Sequence, residues 1–286
     1  MVNDTRAHFG HTENKACSLI GISRSSYRYI PQLSCDDTIK EHLRELAYKK
    51  PRYGVRRLHA ILKKEGLVVN HKRTERIYRQ EGLAIRIKTK KKLPASVRLT
   101  LCVPTRINQQ WAIDFVHDNT GSGGRFRCLS LLDVYSRECL AIHTDTSISG
   151  KTVTDILQRI VETRGAPDVI TTDNGPEFTS KVFTSWAYEK GIRIAFIRPG
   201  KPMENAFVES FQGKLRDECL NLNWFNSLID ARKRIELWRL EYNTERPHSS
   251  LNDLSPAEFI NRQMVLTGWD LIPKNCTPQN VSFLAK

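Results

Sequence analysis

Hydrophobic residues in the first third of the chain recur at steps of three and four, the period of helices that bury one face. Asn14 to Ile20 predicts a short helix, Gly21 a turn, and Ser23 an N-cap for Arg24 to Tyr29, together a compact helix-turn-helix. Asp36 or Asp37 caps a helix through Lys50 with Ile39, Leu43 and Leu46 as its stripe, broken at Pro51-Arg52-Tyr53-Gly54. Val55 to Glu65 resumes with Leu58, Ile61 and Leu62 inward, Gly66 ends it, and Asn70 caps a third helix with Ile77 and Leu83 inward. From Gln109 the period changes. Trp111 to Val116, Phe126 to Val134 and Cys139 to Thr144 predict strands, with a hairpin loop at Asn119 to Gly124. A helix from Ser149 or Gly150 to Arg164, a strand ending at Thr172, a helix from about Phe178 to Lys190 and a strand from Ile192 to Ile197 follow. Pro199-Gly200-Lys201-Pro202 opens a further helix, Leu228 to Tyr242 forms another, and the chain after Met264 predicts no element. The order β-β-β-α-β-α-β-α is that of an α/β domain with a mixed sheet flanked by helices, preceded by an all-α region.

Charge divides the chain at the same place. Residues 1–106 carry 24 Lys and Arg against nine Asp and Glu, while the remainder is nearly neutral, so the whole net charge of +14 lies in the helical third. A basic helical module on a neutral body predicts a polyanion-binding arm. Arg24 and Arg28 on the first unit, Arg56 and Arg57 on the second, and Lys72, Arg73 and Arg76 on the third helix are the candidate DNA contacts. Lys88-Thr89-Lys90-Lys91-Lys92 reads as a cationic linker. These shifts divide the chain into 1–34, 35–86, the linker 87–106, a catalytic domain 107–222 and C-terminal helices with a tail, 223–286. Seven cysteines without a Cys-x-x-Cys pair predict reduced thiols, and His8, His11, Cys17 and Cys35 match no zinc module. The absence of a membrane-length apolar run or signal-peptide core predicts a cytoplasmic protein.

Three acids carry the candidate chemistry. Alternation places Trp111, Ile113 and Phe115 on one face of their strand and Asp114 on the other, beside Ala112 and Val116. An acid inside an apolar strand needs a cation, either a metal or a buried Arg. Asp173 follows its strand at the carboxyl end, where α/β sheets collect their sites, although Asn174-Gly175 also fits a simple Asx-turn. Thirty-five residues separate it from Glu209, which sits on a helix whose apolar stripe is Met203, Phe207, Phe211 and Leu215. Asn205, Glu209, Gln212 and Arg216 form a polar ladder on the other side, with Asn205, Gln212 and Arg216 as candidate DNA contacts at the rim of the site. Glu218 is turned roughly 180° from Glu209. Three carboxylates on one sheet edge can hold two divalent metals and perform in-line phosphoryl transfer.

The strings WAIDFVHD, FRCLSLLDVYSRECLAI, VITTDNGPEF, IRPGKPMENAFVESFQGKLRDECL and YNTERPHSSLNDLSPAEF resemble bacterial insertion-sequence transposases with a retroviral-integrase-like DDE core. More narrowly, they resemble the downstream product of the family that encodes its transposase in two overlapping frames. The resemblance spans about residues 12–262 and implies a ribonuclease-H-like catalytic domain, with Asp114, Asp173 and Glu209 as catalytic and metal-binding triad and Arg216 in the family's basic position. It further implies Mg²⁺ (with Mn²⁺ as a substitute), two ions per site, and cleavage at element ends followed by joining to target DNA. DNA, a homo-oligomer in the synaptic complex and an upstream-frame partner or fusion are the implied partners. A nuclease without strand transfer, or a DNA-binding regulator with an inactive core, remain as alternatives.

Overall fold

A computed structural model describes residues 1–29, 36–85, 104–198 and 206–267. Linker residues 87–103, Asn205, Met203 and the tail beyond Thr267 lie outside the described residues.

The N-terminal region is helical throughout. Helices α1 (Val2–Phe9), α2 (Glu13–Ile20) and α3 (Arg24–Tyr27) enclose a small core of Val2, Ala16 and Cys17. Helix α1 was not legible in the sequence because its only buried residue is Val2, so it has no stripe. Ser23 caps α3 as expected, its hydroxyl accepting from the Ser26 amide at 3.1 Å. Helices α4 (Asp37–Lys49), α5 (Val55–Lys64) and α6 (His71–Gln80) close over Ile39, Leu43, Leu58, Leu62 and Ile77, the predicted stripes. Asn70 caps α6 through the Lys72 amide at 3.0 Å.

The second region is a five-stranded sheet in the order β3-β2-β1-β4-β5. Strands β1 (Gln110–Asn119), β2 (Arg125–Asp133) and β3 (Cys139–Asp145) form an antiparallel meander, and β4 (Val169–Thr172) and β5 (Arg193–Phe196) add in parallel beyond β1. Helices α7 (Gly150–Arg164) and α8 (Lys181–Glu189) cover the face that holds Trp111, Ile113 and Leu129. Helices α9 (Ala206–Glu218) and α10 (Leu228–Thr244) cover the other, over Val116, Phe126 and Cys128. The alternation of β1 therefore decides which helices it meets. Helix α11 (Pro256–Thr267) extends the C-terminal layer, and the sequence reading gave it no element because it lacks a strong stripe.

The exposed edge of the meander is partly closed by a side chain. Asn243, buried on α10, accepts from the Cys139 amide and donates to the Cys139 carbonyl, both at 2.9 Å. Asn243→Leu leaves the buried Cys139 N–H without this acceptor, while the Cys139 carbonyl keeps the Arg239 Nη1 donor at 3.0 Å, so stability should fall by about 1–3 kcal/mol. A urea midpoint within error of the native chain would refute this role.

Candidate active site

Register alone brings the first two acids level. Strand β1 pairs in parallel with β4 as Trp111↔Ile170 and Ala112↔Thr171. Two residues further on, Asp114 within β1 falls level with Asp173, the first residue of the loop that leaves β4. The loop carrying Asp173 is pinned. Its carboxylate accepts from the Gly175 amide at 3.2 Å, the Asx-turn that the sequence allowed. Asn174 Nδ2 donates to the Ile197 carbonyl at 2.9 Å, and Glu177 pairs with Arg127 of β2 at 2.6 Å. Arg127 in turn lies 3.8 Å from the centre of the Phe115 ring.

Helix α9 brings Glu209 to the same place. Its fully buried residues are Val208, Phe211 and Leu215, with Phe207 only partly covered, so the stripe turns slightly from the predicted one. Val208 packs with Ala112 and Val134, which lays the first turn of α9 across β1 just before Asp114. The turn also redirects Gln212. Expected on the DNA-facing ladder, it points inward: Nε2 lies 3.5 Å from Ser130 Oγ and the amide bonds the Asp114 carboxylate. Ser130 Oγ donates to the Asp114 carbonyl at 3.0 Å. Gln212 and Ser130 thus hold the strand residue, a role that needs the β1–β2 register to be seen.

Burial raises the Asp114 carboxyl first, and the charges of Asp173 and Glu209 raise it further, against hydrogen bonds from the Phe115 amide and Gln212, to about 6. Asp173 and Glu209 are exposed. Among the described residues no three His, Cys, Asp or Glu groups are close enough to ligate one ion as placed. The carboxylates share a neighbourhood without closing on a point. All-oxygen donors repelling one another, two of them exposed, fit a hard divalent cation.

The raised Asp114 has a consequence for stability. Its folded value lies above its unfolded one, so the folded chain binds more protons between about pH 4 and 6, and stability falls as pH rises through that window. Without metal, Asp114→Asn should raise stability at pH 7 by on the order of 2 kcal/mol. Equal urea midpoints for the two chains at pH 7 in EDTA would contradict this.

The basic candidates divide. Arg216 is exposed at the rim, with Nη2 3.2 Å from the His117 carbonyl. Arg24, Arg56 and Lys72 are exposed and make no ion pair among the described residues. Others are engaged within the chain: Arg28 with Glu13 at 2.7 Å, and Arg73 and Arg76 with Asp36 at 2.7 and 2.6 Å. Arg57, predicted outward, instead pairs with Glu218 of α9 at 2.8 Å. Glu218 also receives a bidentate pair from Arg246, both bonds at 2.7 Å. This hub is not legible in the sequence, because its three members lie on separate elements.

A mixed sheet of this order, with acids on adjacent strands and a third on a crossing helix, defines a ribonuclease-H-like integrase core. Family models described as "Integrase core domain" match residues 104–202 and 190–256, and an "HTH-like domain" matches 34–91. An insertion element IS407 protein of Burkholderia multivorans is 44% identical over 87% of this chain and 90% of its own length. An insertion element IS476 protein of Xanthomonas euvesicatoria is 40% identical over 94% of this chain and 78% of its own. The putative transposase InsK for IS150 of Escherichia coli is 25% identical over 84% of this chain and 90% of its own. A chain of the simian T-cell lymphotropic virus intasome, in complex with PP2A regulatory subunit B56 gamma, shares the fold at a TM-score of 0.50. That match covers 82% of this chain and 78% of the viral one at 16% identity. The protein belongs to the integrase-core family of insertion-element transposases. Among the described residues no helix is long and apolar enough to cross a membrane.

Proposed function

We propose that this chain is a transposase subunit that cuts DNA at insertion-element ends and joins the freed 3′-OH to target DNA. The supporting observation is the grouping of Asp114, Asp173 and Glu209 around the central strand β1, where Asp114 feels both other charges. In this reading the three carboxylates hold two Mg²⁺ ions, with Mn²⁺ as a substitute. Bound there, such ions lower the pKa of an attacking oxygen and stabilise the leaving one. Asp114, rigid on β1 and held by Gln212, fixes the position of the site; Asp173 and Glu209 close on it from a pinned loop and a helix. In the first step water attacks phosphorus at the element end, the bond from phosphorus to the 3′ oxygen breaks, and that oxygen leaves as a 3′-OH. In the second the 3′-OH attacks a target phosphodiester, displacing the target strand's own 3′ oxygen.

Arg216 at the rim, with Asn205 beside it in the sequence ladder, is placed to hold backbone phosphates. Arg24, Arg56 and Lys72, exposed and without an ion pair among the described residues, are among the helical region's cations open to phosphates. Residues 1–34 and 35–86 act as the DNA-binding units, 87–106 as their tether, 107–222 as the catalytic domain and 223–286 as its C-terminal support. A homo-oligomer in the synaptic complex and an upstream-frame partner or fusion complete the proposal. The test is incubation of the chain with labelled element-end DNA, Mg²⁺ and a target plasmid. Joined products in Mg²⁺ but not in EDTA are expected; cut ends without joining would favour the nuclease, and binding without cutting the regulator.

A further inference from the structure

A cleft of about 710 Å³ lies between α5 and α6 of the helical region and the corner after α10 of the integrase core, within the range of small-ligand sites. Its walls are cationic. Lys214 of α9 projects into it and makes no ion pair or hydrogen bond among the described residues. Burial, then the nearby Arg246, Arg57 and Arg137 guanidiniums, lower the Lys214 ammonium to about 8 despite the opposing pull of Glu218. Arg56 stands at the mouth, exposed and unpaired among the described residues. Arg57 and Arg246 share the single carboxylate of Glu218, so two positive charges meet one negative. Of the acids in the lining, Glu75 is paired with Arg79, which leaves Asp253 to offset the rest.

A second observation is independent of charge count. His248 is 3% exposed and lines the same cleft, and its Nε2 is buried with no hydrogen-bond partner among the described residues. Burial and the surrounding cations push its pKa far down, so the ring stays neutral and one tautomer presents an N–H donor. A buried donor without an acceptor is destabilising unless something fills the site. Ser249 and Ser250 add hydroxyls at the same wall. Together these residues are the Arg-Pro-His-Ser-Ser run of the YNTERPHSSLNDLSPAEF string, which the three-carboxylate chemistry leaves without a role.

We propose that this cleft is a phosphate-binding site, in which Lys214, His248 and Arg56 clamp one backbone phosphate of DNA between the helical region and the integrase core. A phosphate brings the negative charge that the excess cations need and acceptor oxygens for the serine hydroxyls and, once the imidazole turns toward the cleft, for His248 Nε2. That the phosphate belongs to DNA rests on the function proposed above; the anion site itself does not.

The test uses the full chain in EDTA at near-physiological salt, with tripolyphosphate and a short duplex as separate probes. Tripolyphosphate should raise the melting temperature of the native chain. Lys214→Met should melt at or above the native chain when no probe is present, since a repelled buried cation is removed, yet bind both probes roughly tenfold or more weakly. Lys214→Arg should restore binding, and Lys214→Gln serves where the Met variant is poorly folded. Lys151→Met removes the same unit charge from the exposed start of α7 and should bind as the native chain does. Weakening of tripolyphosphate alone would keep the phosphate site and assign it to a free oligophosphate instead of DNA. Equal binding by native and Lys214→Met chains, or equal losses in Lys214→Met and Lys151→Met, would overturn the proposal. A chain that joins no DNA but shows Lys214-dependent binding would keep the site and discard the transposase chemistry.

Discussion

Glu209→Gln should abolish both cutting and joining, a loss of roughly a thousandfold or more, while DNA binding survives. The size follows from removing a fixed charge where the transition state needs it. Gln keeps the shape of the side chain and the exposed position on α9, so the packing of Val208, Phe211 and Leu215 beneath it is untouched. Without the carboxylate, the site retains Asp114 and Asp173, too little negative charge to hold a second divalent ion. Because Glu209 also contributes to the raised Asp114 carboxyl, its removal should let that carboxyl ionise at lower pH. Titration of Asp114 by NMR in the metal-free chain therefore gives a readout separate from activity. Strand transfer at native rates in Mg²⁺ would sink the assignment of Glu209, and with it the three-carboxylate mechanism.

The opposite pattern is expected nine residues further along the same helix. Glu218→Gln should destabilise the chain by about 3–5 kcal/mol, the scale for breaking a buried ion pair and stranding its partner. Arg246 is 2% exposed and Glu218 5%, so the stranded guanidinium has little water to replace its partner. Arg57, 33% exposed, can turn outward, which makes Arg246 the dominant loss. The effect should also loosen the helical region from the core, because Arg57 belongs to α5. Arg52 with Asp217 at 2.5 Å, Lys50 with Glu241, and Lys64 with Glu258 then remain to hold the two together. Combined replacement of Glu218 and Arg246 by Met should recover part of the loss, since no buried charge is left unmatched. A urea midpoint for Glu218→Gln equal to that of the native chain would show the hub to be energetically idle.

These two glutamates show where reading the chain stopped being sufficient. Helical period alone separates Glu209 from Glu218 by about half a turn, and the structure places them accordingly, one at the sheet edge and one in an ion-pair hub. What Glu218 meets there was not legible, because Arg57 and Arg246 are far from it in sequence. The same limit explains Gln212. Its position on the polar side of α9 was evident, but a small rotation of the buried stripe from Phe207 to Val208 turned it from the DNA-facing ladder toward Asp114.

The sequence by itself determined the helical and strand periods, the order of elements, the basic first third, and Asp114 on the face of β1 opposite Trp111 and Ile113. Each of these depends on neighbours within a turn or a strand, or on charge, which adds up along a chain without regard to fold. It did not determine α1 or α11, whose stripes are too weak to announce a buried face. Only the tertiary structure decided that the parallel β1–β4 register sets Asp173 level with Asp114, that Arg57 faces inward, and that Lys214 and His248 share a cleft. Those are contacts between residues tens of positions apart. They are set by which strands pair and which helix faces bury, a choice made by the whole core at once.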